Sequence, residues 1–258
     1  MRFIVSPAKK MNVVDGEPYW RTLPRFLDKT EVLLAELRQM GRDELQDLWK
    51  CNDRLCDLNF RRTRQMDLRR NLTSAVISYE GIQYQHLAPH VMTAGELEYL
   101  EEHLRIVSGF YGLLRPMDGV TPYRLEMQAR LAVGPCKNLY EFWGASLAEA
   151  LTRELGEEPG EERVVVNLAS VEYAKAVTPH LQAAETRVLT CLFGDVCDGR
   201  LVQRATEAKS ARGSFVRWCA EGDVRSTREF RAFGERGYSL DEGFSDEDTL
   251  VFVRDRIS

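Results

Sequence analysis

The sequence has no long apolar run and no amino-terminal segment that resembles a secretion signal. None of its apolar stretches approaches the roughly 20 residues that a membrane-spanning helix requires. The first ten residues, MRFIVSPAKK, lack the apolar core and the small-residue cleavage site of a signal peptide. We therefore expect a cytoplasmic protein with no membrane partner.

Cysteine and histidine are also scarce, with six and four residues in a chain of 258. Six cysteines are too few for a disulfide scaffold at this length, and the cytoplasm would keep them reduced. The spacings Cys51-x4-Cys56 and Cys191-x5-Cys197 do not match the tighter spacings of zinc sites, and the histidines form no cluster. We expect free thiols and no metal site, and no cofactor is indicated.

Positive charge is not in excess overall, because the net charge is -5 and the isoelectric point is about 5.6. This balance argues against a uniformly basic nucleic-acid binder. Locally the balance reverses, since residues 50–70 carry seven Lys and Arg against three Asp, a charge of +4. Acidic stretches at 96–102, 154–162 and 241–248 leave room for a basic cleft on an acidic body.

What the sequence does contain is an alternation of strand-like and helical patterns. Continuous β-prone runs predict strands, and the weaker runs at 75–79 and 123–127 are strand-like as well. The stronger runs are 2–5, 163–168, 187–193 and 250–253. The GEEPGEE segment at 156–162 is typical of a surface turn.

Helical spacing of leucines extends from residue 23 to about 70, with breaks expected near Gly41 and Asn59. Thr93-x-x-Glu96 is a capping box that predicts a helix to His103. Further helices are expected over 143–155 and 205–220. The sequence thus predicts one domain over 1–258, of the α+β (mixed α/β) class, with a mixed sheet flanked by helices.

The stretch LRIVSGFYGLLRPMDGVTPYRLEM, residues 104–127, combines turn residues with cations. Gly109 and Gly112 permit tight turns and close backbone approach, while Arg105, Arg115 and Arg124 supply planar donors suited to phosphate or carboxylate. Anion binding is one interpretation of this pattern. The other interpretation is a connecting segment whose arginines are solvated.

The same mixture recurs in SPAK at 6–9, LYEFWG at 139–144, VVNLASVEYAKAV at 165–177 and AKSARGSFVRW at 208–218. In order and spacing, together with SGFYGLLRPMD and PYRLEM, this set resembles the YaaA family of bacterial peroxide-stress proteins. The resemblance covers residue 1 to about 254. It implies a duplex-DNA binder with a helix-hairpin-helix element that protects against hydrogen peroxide by limiting intracellular iron. It implies no defined reaction.

Individual motifs suggest roles for particular residues. Ser6-Pro7-Ala8-Lys9 matches a Ser-x-x-Lys pattern, but the companion motifs of serine catalysis are missing, so Lys9 is better interpreted as a cation at a strand end. Asn167, Glu172 and Lys175 follow a predicted strand, where α/β proteins often place functional groups. Gly109-x-x-Gly112 departs from the Gly-x-Gly turn of common helix-hairpin-helix elements.

Two main functional hypotheses follow. In the first, a basic cleft binds duplex DNA non-specifically, because contacts go mainly to phosphate. In the second, an enzyme acts on a nucleotide, nucleobase or other anionic small substrate, with Lys9, Glu172 and Lys175 as catalytic candidates. A structural or regulatory protein without either activity is a third class. The candidate DNA- or anion-binding residues are Lys9, Gly109, Gly112, Arg115, Arg124, Asn167, Lys175, Lys209 and Arg212.

One geometric expectation separates these hypotheses. Cations from distant motifs should share one concave surface, and a deep pocket would favour the enzyme whereas an open groove would favour DNA. The cations concerned are Lys9, Arg115, Arg124, Lys175 and Arg212. The sequence does not indicate an oligomeric state.

Overall fold

The structure is a computed structural model that describes residues 1–14, 19–156 and 162–254. The strands are β1 (Arg2–Val5), β2 (Lys10–Met11), β3 (Thr73–Ser74), β4 (Tyr79–Glu80), β5 (Leu104–Ser108), β6 (Gly112–Leu114), β7 (Gly119–Val120), β8 (Val164–Asn167), β9 (Arg187–Cys197), β10 (Arg200–Val202), β11 (Tyr238–Leu240) and β12 (Thr249–Arg254). The α-helices are α1 (Leu27–Gln39), α2 (Arg42–Trp49), α3 (Asp53–Gln65), α4 (Ala75–Ser78), α5 (Ile82–Leu87), α6 (Ala94–His103), α7 (Leu139–Trp143), α8 (Ser146–Gly156), α9 (Val171–Ala174), α10 (Thr178–Ala183) and α11 (Ala205–Glu221).

The main sheet is mixed and has eight strands. Its order is β11-β12-β9-β8-β1-β5-β6, and β10 pairs with β9. The strands β5, β1, β8, β9 and β12 are parallel, whereas β6, β10 and β11 are antiparallel to their neighbours. β1 and β8 are buried at every position, as expected for central parallel strands that are covered on both faces. The predicted mixed α/β class is confirmed.

Aromatic packing joins one layer of helices to this sheet. Phe215 of α11 contacts Phe3 of β1 and Phe193 of β9, with ring centroids 6.4 and 5.6 Å apart. Tyr99 of α6 contacts the same Phe3 at 6.5 Å. Large buried rings contribute much of the stabilising apolar burial in such a layer.

The order of strands creates a crevice at the carboxyl end of β1. The chain leaves β1, reaches β5 on one side of it, and later returns to form β8 on the other side. In open α/β sheets, ligands bind outside the carboxyl ends of strands at such a reversal. The segments that follow β1, β5 and β8 are therefore the first place to look for a site.

The leucine-rich region forms three helices, α1 to α3. The predicted break at Gly41 is confirmed, because Gly41 is the N-cap of α2. The break predicted at Asn59 is wrong, since Asn59 lies inside α3 and the chain turns earlier. There, Lys50 adopts a left-handed conformation with φ of 46°, and Asn52 caps α3 by accepting a hydrogen bond from the Leu55 N–H at 3.0 Å.

Most of the other strands and helices agree with the sequence prediction. The strands over 2–5, 163–168, 187–193 and 250–253 are confirmed in type, as is the helix over 205–220. The Thr93 capping box is confirmed at the start of α6. The helix predicted over 143–155 is confirmed as α8, which begins at Ser146, because α7 ends at Trp143. Most of the turn predicted over 156–162 lies outside the described residues.

The strands predicted at 75–79 and 123–127 are wrong. Residues 75–78 form α4, whose first N–H groups bond to loop carbonyls: Ala75 donates to Asp118 at 2.8 Å and Val76 to Pro116 at 3.0 Å. Tertiary hydrogen bonds therefore override the strand propensity of this short run. Residues 123–127 contain no regular element.

The expected helix-hairpin-helix turn at Gly109-x-x-Gly112 is also wrong. These glycines form the turn of the β5–β6 hairpin, and both are buried. Gly112 has φ of +76°, and a side chain there would come within 2.7 Å of the Trp143 ring. At Gly109 a Cβ atom would lie 2.6 Å from the Leu125 carbonyl oxygen. Close packing explains both glycines.

Within the described ranges, no helix combines the length and the apolar character needed to cross a membrane. One continuous cluster of buried side chains includes Met1, which precedes β1, and Phe252 of β12. The expectation of a single domain over 1–258 stays a prediction.

Candidate functional site

The site begins where β1 and β8 end side by side. Ser6 follows β1, and its hydroxyl oxygen accepts a hydrogen bond from the Ser170 N–H at 2.8 Å. The same hydroxyl donates to Ser170 Oγ at 3.2 Å. Asn167, at the end of β8, is buried and accepts from the Ala169 N–H at 3.0 Å, which fixes the turn leading to Ser170. These bonds bring the segments that follow the two strands to one place.

A cleft of about 890 Å³ opens between residues 9–12, which follow β1, and helix α3. This volume lies in the range of ligand-binding sites. Six cations line the cleft, which we call the basic cleft: Lys9, Lys10, Arg54, Arg61, Arg62 and Arg124. Side-chain amides from Asn12, Asn52 and Asn59 add hydrogen-bonding groups.

Helical spacing explains why α3 supplies three of these arginines. Arg54, Arg61 and Arg62 are separated by seven and eight residues, so two turns of helix place them on one face. Arg54 and Arg61 are exposed, and neither guanidinium bonds to a described residue. Arg62 is partly buried and donates to the Met11 carbonyl at 3.5 Å, and burial lowers its pKa. The outer part of this face is therefore available to an anion.

Glu126 is a buried carboxylate behind two of the cations. It is 9% exposed, and its Oε1 lies 3.4 Å from Lys9 Nζ and 3.3 Å from Arg124 Nη2. Nevertheless this Oε1, like Arg124 Nε, is a buried atom without a hydrogen-bond partner among the described residues. Buried polar atoms are nearly always bonded to protein, water or ligand. The two unsatisfied atoms mark a place where a bound molecule would complete the hydrogen bonding.

A second carboxylate, Glu172 of α9, lies near this group. Its Oε1 accepts a hydrogen bond from the Gln128 N–H at 3.2 Å. Burial raises the pKa of Glu172, and although the Gln128 bond opposes this effect, the negative charge of Glu126 adds to it. The positive charge of Lys9 lowers the pKa of Glu172. The charges of Glu126 and Lys9 therefore both act on Glu172.

Buried tyrosines form a rigid base beneath the strand ends. Tyr123 OH bonds to Tyr79 OH at 2.8 Å and to Ser108 Oγ at 2.6 Å, while Tyr84 OH donates to the Ser6 carbonyl at 3.0 Å. Burial raises the pKa values of all three phenols, so they stay neutral at physiological pH. This neutral network links β1, β4, α5 and β5.

Comparison with known proteins places the whole arrangement in a family. A family model described as peroxide stress protein YaaA matches residues 1–243. The chain belongs to this YaaA family. It is similar to a UPF0246 protein of Pediococcus pentosaceus, with 44% identity over 257 residues that cover 100% of this chain and 99% of the relative. A UPF0246 protein of Lactiplantibacillus plantarum is 45% identical over 254 residues, covering 98% and 99% of the two chains.

The family motifs supply only part of the basic cleft. Lys9 and Arg124 line it, and Glu172 lies beside Lys9 and Glu126. Asn167 does not line the cleft, but its side chain orders the segment leading to Ser170. These residues are the ones that the structure brings together.

Arg115 lies elsewhere, so the expected concave surface does not include it, whereas its sharing by Lys175 and Arg212 stays a prediction. Arg115 lines a separate cavity of about 270 Å³. Lys175, Lys209 and Arg212 do not line the basic cleft. Lys175 is exposed with its Nζ 5.0 Å from the centre of the Tyr140 ring, whereas Lys209 and Arg212 lie on α11. Burial lowers the pKa of Arg212, and its Nε has no hydrogen-bond partner among the described residues.

The sequence motifs did not indicate that α3 and Glu126 contribute to the site. A signal for α3 was present, because the +4 charge of residues 50–70 already marked this region. Glu126 lies within PYRLEM, where the arginine drew attention and the glutamate did not. In the described part of the chain, no group of three or more His, Cys, Asp or Glu side chains is arranged to hold a metal ion.

Proposed function

We propose that this chain binds duplex DNA non-specifically through the basic cleft, as part of a cytoplasmic defence against peroxide. The observation that carries the proposal is the convergence of six cations on one cleft in a chain with a net charge of -5. Such a concentration of positive charge attracts the DNA backbone and releases its bound counterions. The peroxide role is supported by the description of the family to which the chain belongs.

The exposed face of α3 is the part of the cleft suited to phosphate. Arg54 and Arg61 have no bonded partner among the described residues, so binding a phosphate does not require breaking an ion pair. Guanidinium groups match phosphate geometry with two parallel hydrogen bonds. Contacts of this type do not distinguish one base from another, and the expected binding is independent of sequence.

The start of α3 lies at the cleft and would meet the duplex. Residues 50–52 connect the two helices, and both Asn52 and Arg54 line the cleft at the start of α3. The first turn of a helix presents backbone N–H groups toward anions. In this proposal the turn between α2 and α3, and not Gly109-x-x-Gly112, is the part of the chain that meets the duplex.

Fluorescence anisotropy with a labelled duplex tests this proposal. Arg54→Gln/Arg61→Gln removes two free cations, and we expect binding at low salt to weaken by about 10- to 100-fold. The slope of log affinity against log salt should become shallower by about 0.9 for each lost phosphate contact. Both residues are exposed, so the fold should be preserved.

Arg200→Gln/Arg228→Gln is a matched control because both exposed arginines lie outside the cleft. It makes the same type of charge change and should leave the affinity within about twofold. Equal losses in the control and the double variant would show that net charge, and not the cleft, governs binding. A strong preference for one duplex sequence would also contradict the proposal.

A second function is supported by a specific observation, the raised pKa of Glu172 beside Glu126 and Lys9. A raised pKa makes a carboxyl group better suited to general acid–base catalysis. In this version Lys9 and Arg124 would hold a nucleotide or another anionic small substrate, and Glu172 would act as acid or base. Lys175, also predicted as a catalytic candidate, does not line this cleft.

A further inference from the structure

Arg212 of α11 is a cation that the proposed function does not use. Its side chain is partly buried and does not line the basic cleft. Its Nε is a buried atom without a hydrogen-bond partner among the described residues, and its two Nη groups donate to none of those residues either. Buried polar atoms are nearly always bonded to protein, water or ligand. A guanidinium in this state is typical of a binding site.

No carboxylate compensates Arg212 in the part of the chain that the structure describes. Burial lowers the pKa of this guanidinium, and no neighbouring charge of either sign contributes to the shift. The acidic residues of the same helix pair with other cations: Glu207 accepts a hydrogen bond from Arg254 Nη1, and Glu221 accepts one from Arg217 Nε, both at 2.7 Å. A cation that is removed from water without a counter-charge is unfavourable. A bound anion would supply that counter-charge.

The direction of α11 places Arg212 near the carboxyl ends of the parallel strands. The helix begins beside the carboxyl end of β9, because Nε of its N-cap residue Arg204 lies 3.6 Å from Oδ2 of Asp195. Further along the helix, Phe215 packs on Phe3 of β1. Arg212 lies about one turn before Phe215 and is therefore nearer to the strand ends. Ligands of open α/β sheets bind outside these ends.

Helix α5 covers one side of this position. Gly213 packs so closely on α5 that a Cβ atom there would collide with the Gln83 carbonyl oxygen. Around the axis of α11, Arg212 lies between Gly213, which faces α5, and Phe215, which faces the sheet. We call this place, where Gln83, Arg212 and Gly213 meet, the α5–α11 junction.

Gln83 brings a second polar side chain to the α5–α11 junction. It is 7% exposed, and its amide forms no hydrogen bond with a described residue. The same helix is attached to the end of β1, since the Tyr84 hydroxyl donates to the Ser6 carbonyl at 3.0 Å. An amide nitrogen donates two hydrogen bonds without adding charge. The junction therefore combines one charged guanidinium with one neutral donor group, both without a partner among the described residues.

We propose that the α5–α11 junction binds a small oxyanion with one negative charge, either a carboxylate or a singly charged phosphate group. Nε and one Nη of Arg212 would donate paired, charge-assisted hydrogen bonds to two of its oxygens, and the Gln83 amide would donate to the same group. One cation balances one negative charge, so a doubly charged ligand would leave a buried charge uncompensated. The site does not depend on the function proposed for the basic cleft.

Thermal unfolding in the presence of added anions tests the proposal. The full chain carrying Arg54→Gln/Arg61→Gln is used, so that the basic cleft contributes little, and chloride keeps the ionic strength constant. Acetate and inorganic phosphate are titrated separately at about pH 6. An anion at ten times its Kd should raise the Tm by about 3–6 °C. A larger rise with acetate indicates a carboxylate as the natural ligand, a larger rise with phosphate indicates a phosphate group, and equal rises indicate that any singly charged oxyanion is accepted.

Adding Arg212→Met to this background should abolish the rise in Tm, whereas Arg217→Met, on the same helix with a side chain 39% exposed, should leave it unchanged. Gln83→Leu should weaken binding about tenfold, because it removes a hydrogen bond to a charged group. The proposal is overturned if neither anion raises the Tm at tens of millimolar, or if Arg212→Met and Arg217→Met respond alike. If circular dichroism shows that Arg212→Met does not fold, an unchanged affinity in Gln83→Leu overturns the proposal instead.

Discussion

The basic cleft and a second cavity, which is lined in part by Arg25, Arg105, Arg115 and Glu154, use the same residue types at opposite ends of the parallel strands, but they combine them differently. In the basic cleft the outer cations Arg54 and Arg61 are exposed and have no bonded partner in the described part of the chain, and the carboxylates lie behind them. In the second cavity the cations Arg2 and Arg105 are buried and packed around Glu154. Exposed cations are free to bind a partner at little cost to folding, whereas buried cations first have to be compensated within the fold.

This comparison predicts that Glu154 matters most for stability. Glu154→Gln keeps the size of the side chain but removes the buried carboxylate that pairs with Arg105 at 2.7 Å. Breaking a buried ion pair by removing one partner destabilises proteins by about 3–5 kcal/mol, and we expect a loss of this size. Urea denaturation followed by circular dichroism measures it.

Glu149→Gln is the control on the same helix, because Glu149 is exposed on α8. It should change the free energy of unfolding by less than about 0.5 kcal/mol. If the two variants unfold at the same urea concentration, the carboxylate of Glu154 does not compensate the buried arginines, and the contrast between the two regions is lost.

A smaller effect is expected from Asp118, and it should depend on pH. Burial raises the pKa of Asp118 from 3.8 to about 6, although the hydrogen bond from Thr22 opposes this rise. The folded state therefore binds the proton more tightly than the unfolded chain. This contribution to stability is complete below about pH 4 and is lost as the pH rises to about 6.

Asp118→Asn removes the ionisation, and its amide can still bond to Thr22 and to the Arg115 N–H. Its stability relative to wild type should rise by roughly 2 kcal/mol between pH 4 and pH 7. Urea titrations at several pH values provide the measurement, with the exposed Asp47→Asn as the control for loss of a surface carboxylate. A difference that stays constant with pH would mean that Asp118 is not held in its neutral form by burial.

The two regions also show what the sequence could and could not predict. Continuous β-branched runs identified β1, β8, β9 and β12, because buried parallel strands require such residues over their whole length. The same reasoning placed Lys9 and Glu172 just beyond strand ends, where the structure has them. Local pattern and tertiary structure agree in this part of the molecule.

Arg115 and Arg124 are close in the sequence, and this closeness wrongly suggested that they share one site. They are nine residues apart, but the β5–β6 hairpin carries Arg115 back to the amino end of β5, while Arg124 reaches the basic cleft beyond the carboxyl end of β1. Strand pairing is a long-range property that residue spacing does not reveal. For the same reason, the basic character of residues 50–70 was visible, but its position opposite Lys9 was not.

The smallest expected effect decides between the two functions proposed for the cleft. Glu172→Gln neutralises a carboxylate whose pKa is already raised by burial. If the cleft binds DNA, the affinity should stay the same or increase slightly, because repulsion of phosphate decreases. An enzyme that uses Glu172 for proton transfer should instead lose about 10²- to 10⁴-fold in rate.

The survival of a peroxide-treated strain that depends on this chain indicates whether such an activity is retained. Fluorescence anisotropy measures the DNA affinity. Protection equal to wild type together with intact DNA binding rejects Glu172 as an acid or base. Lost protection with intact binding and a normal unfolding curve overturns DNA binding as the main function, because the carboxyl group is then required for something other than holding phosphate. Arg54→Gln/Arg61→Gln completes the comparison. If protection depends on DNA binding by the exposed face of α3, this variant should lower both survival and DNA affinity.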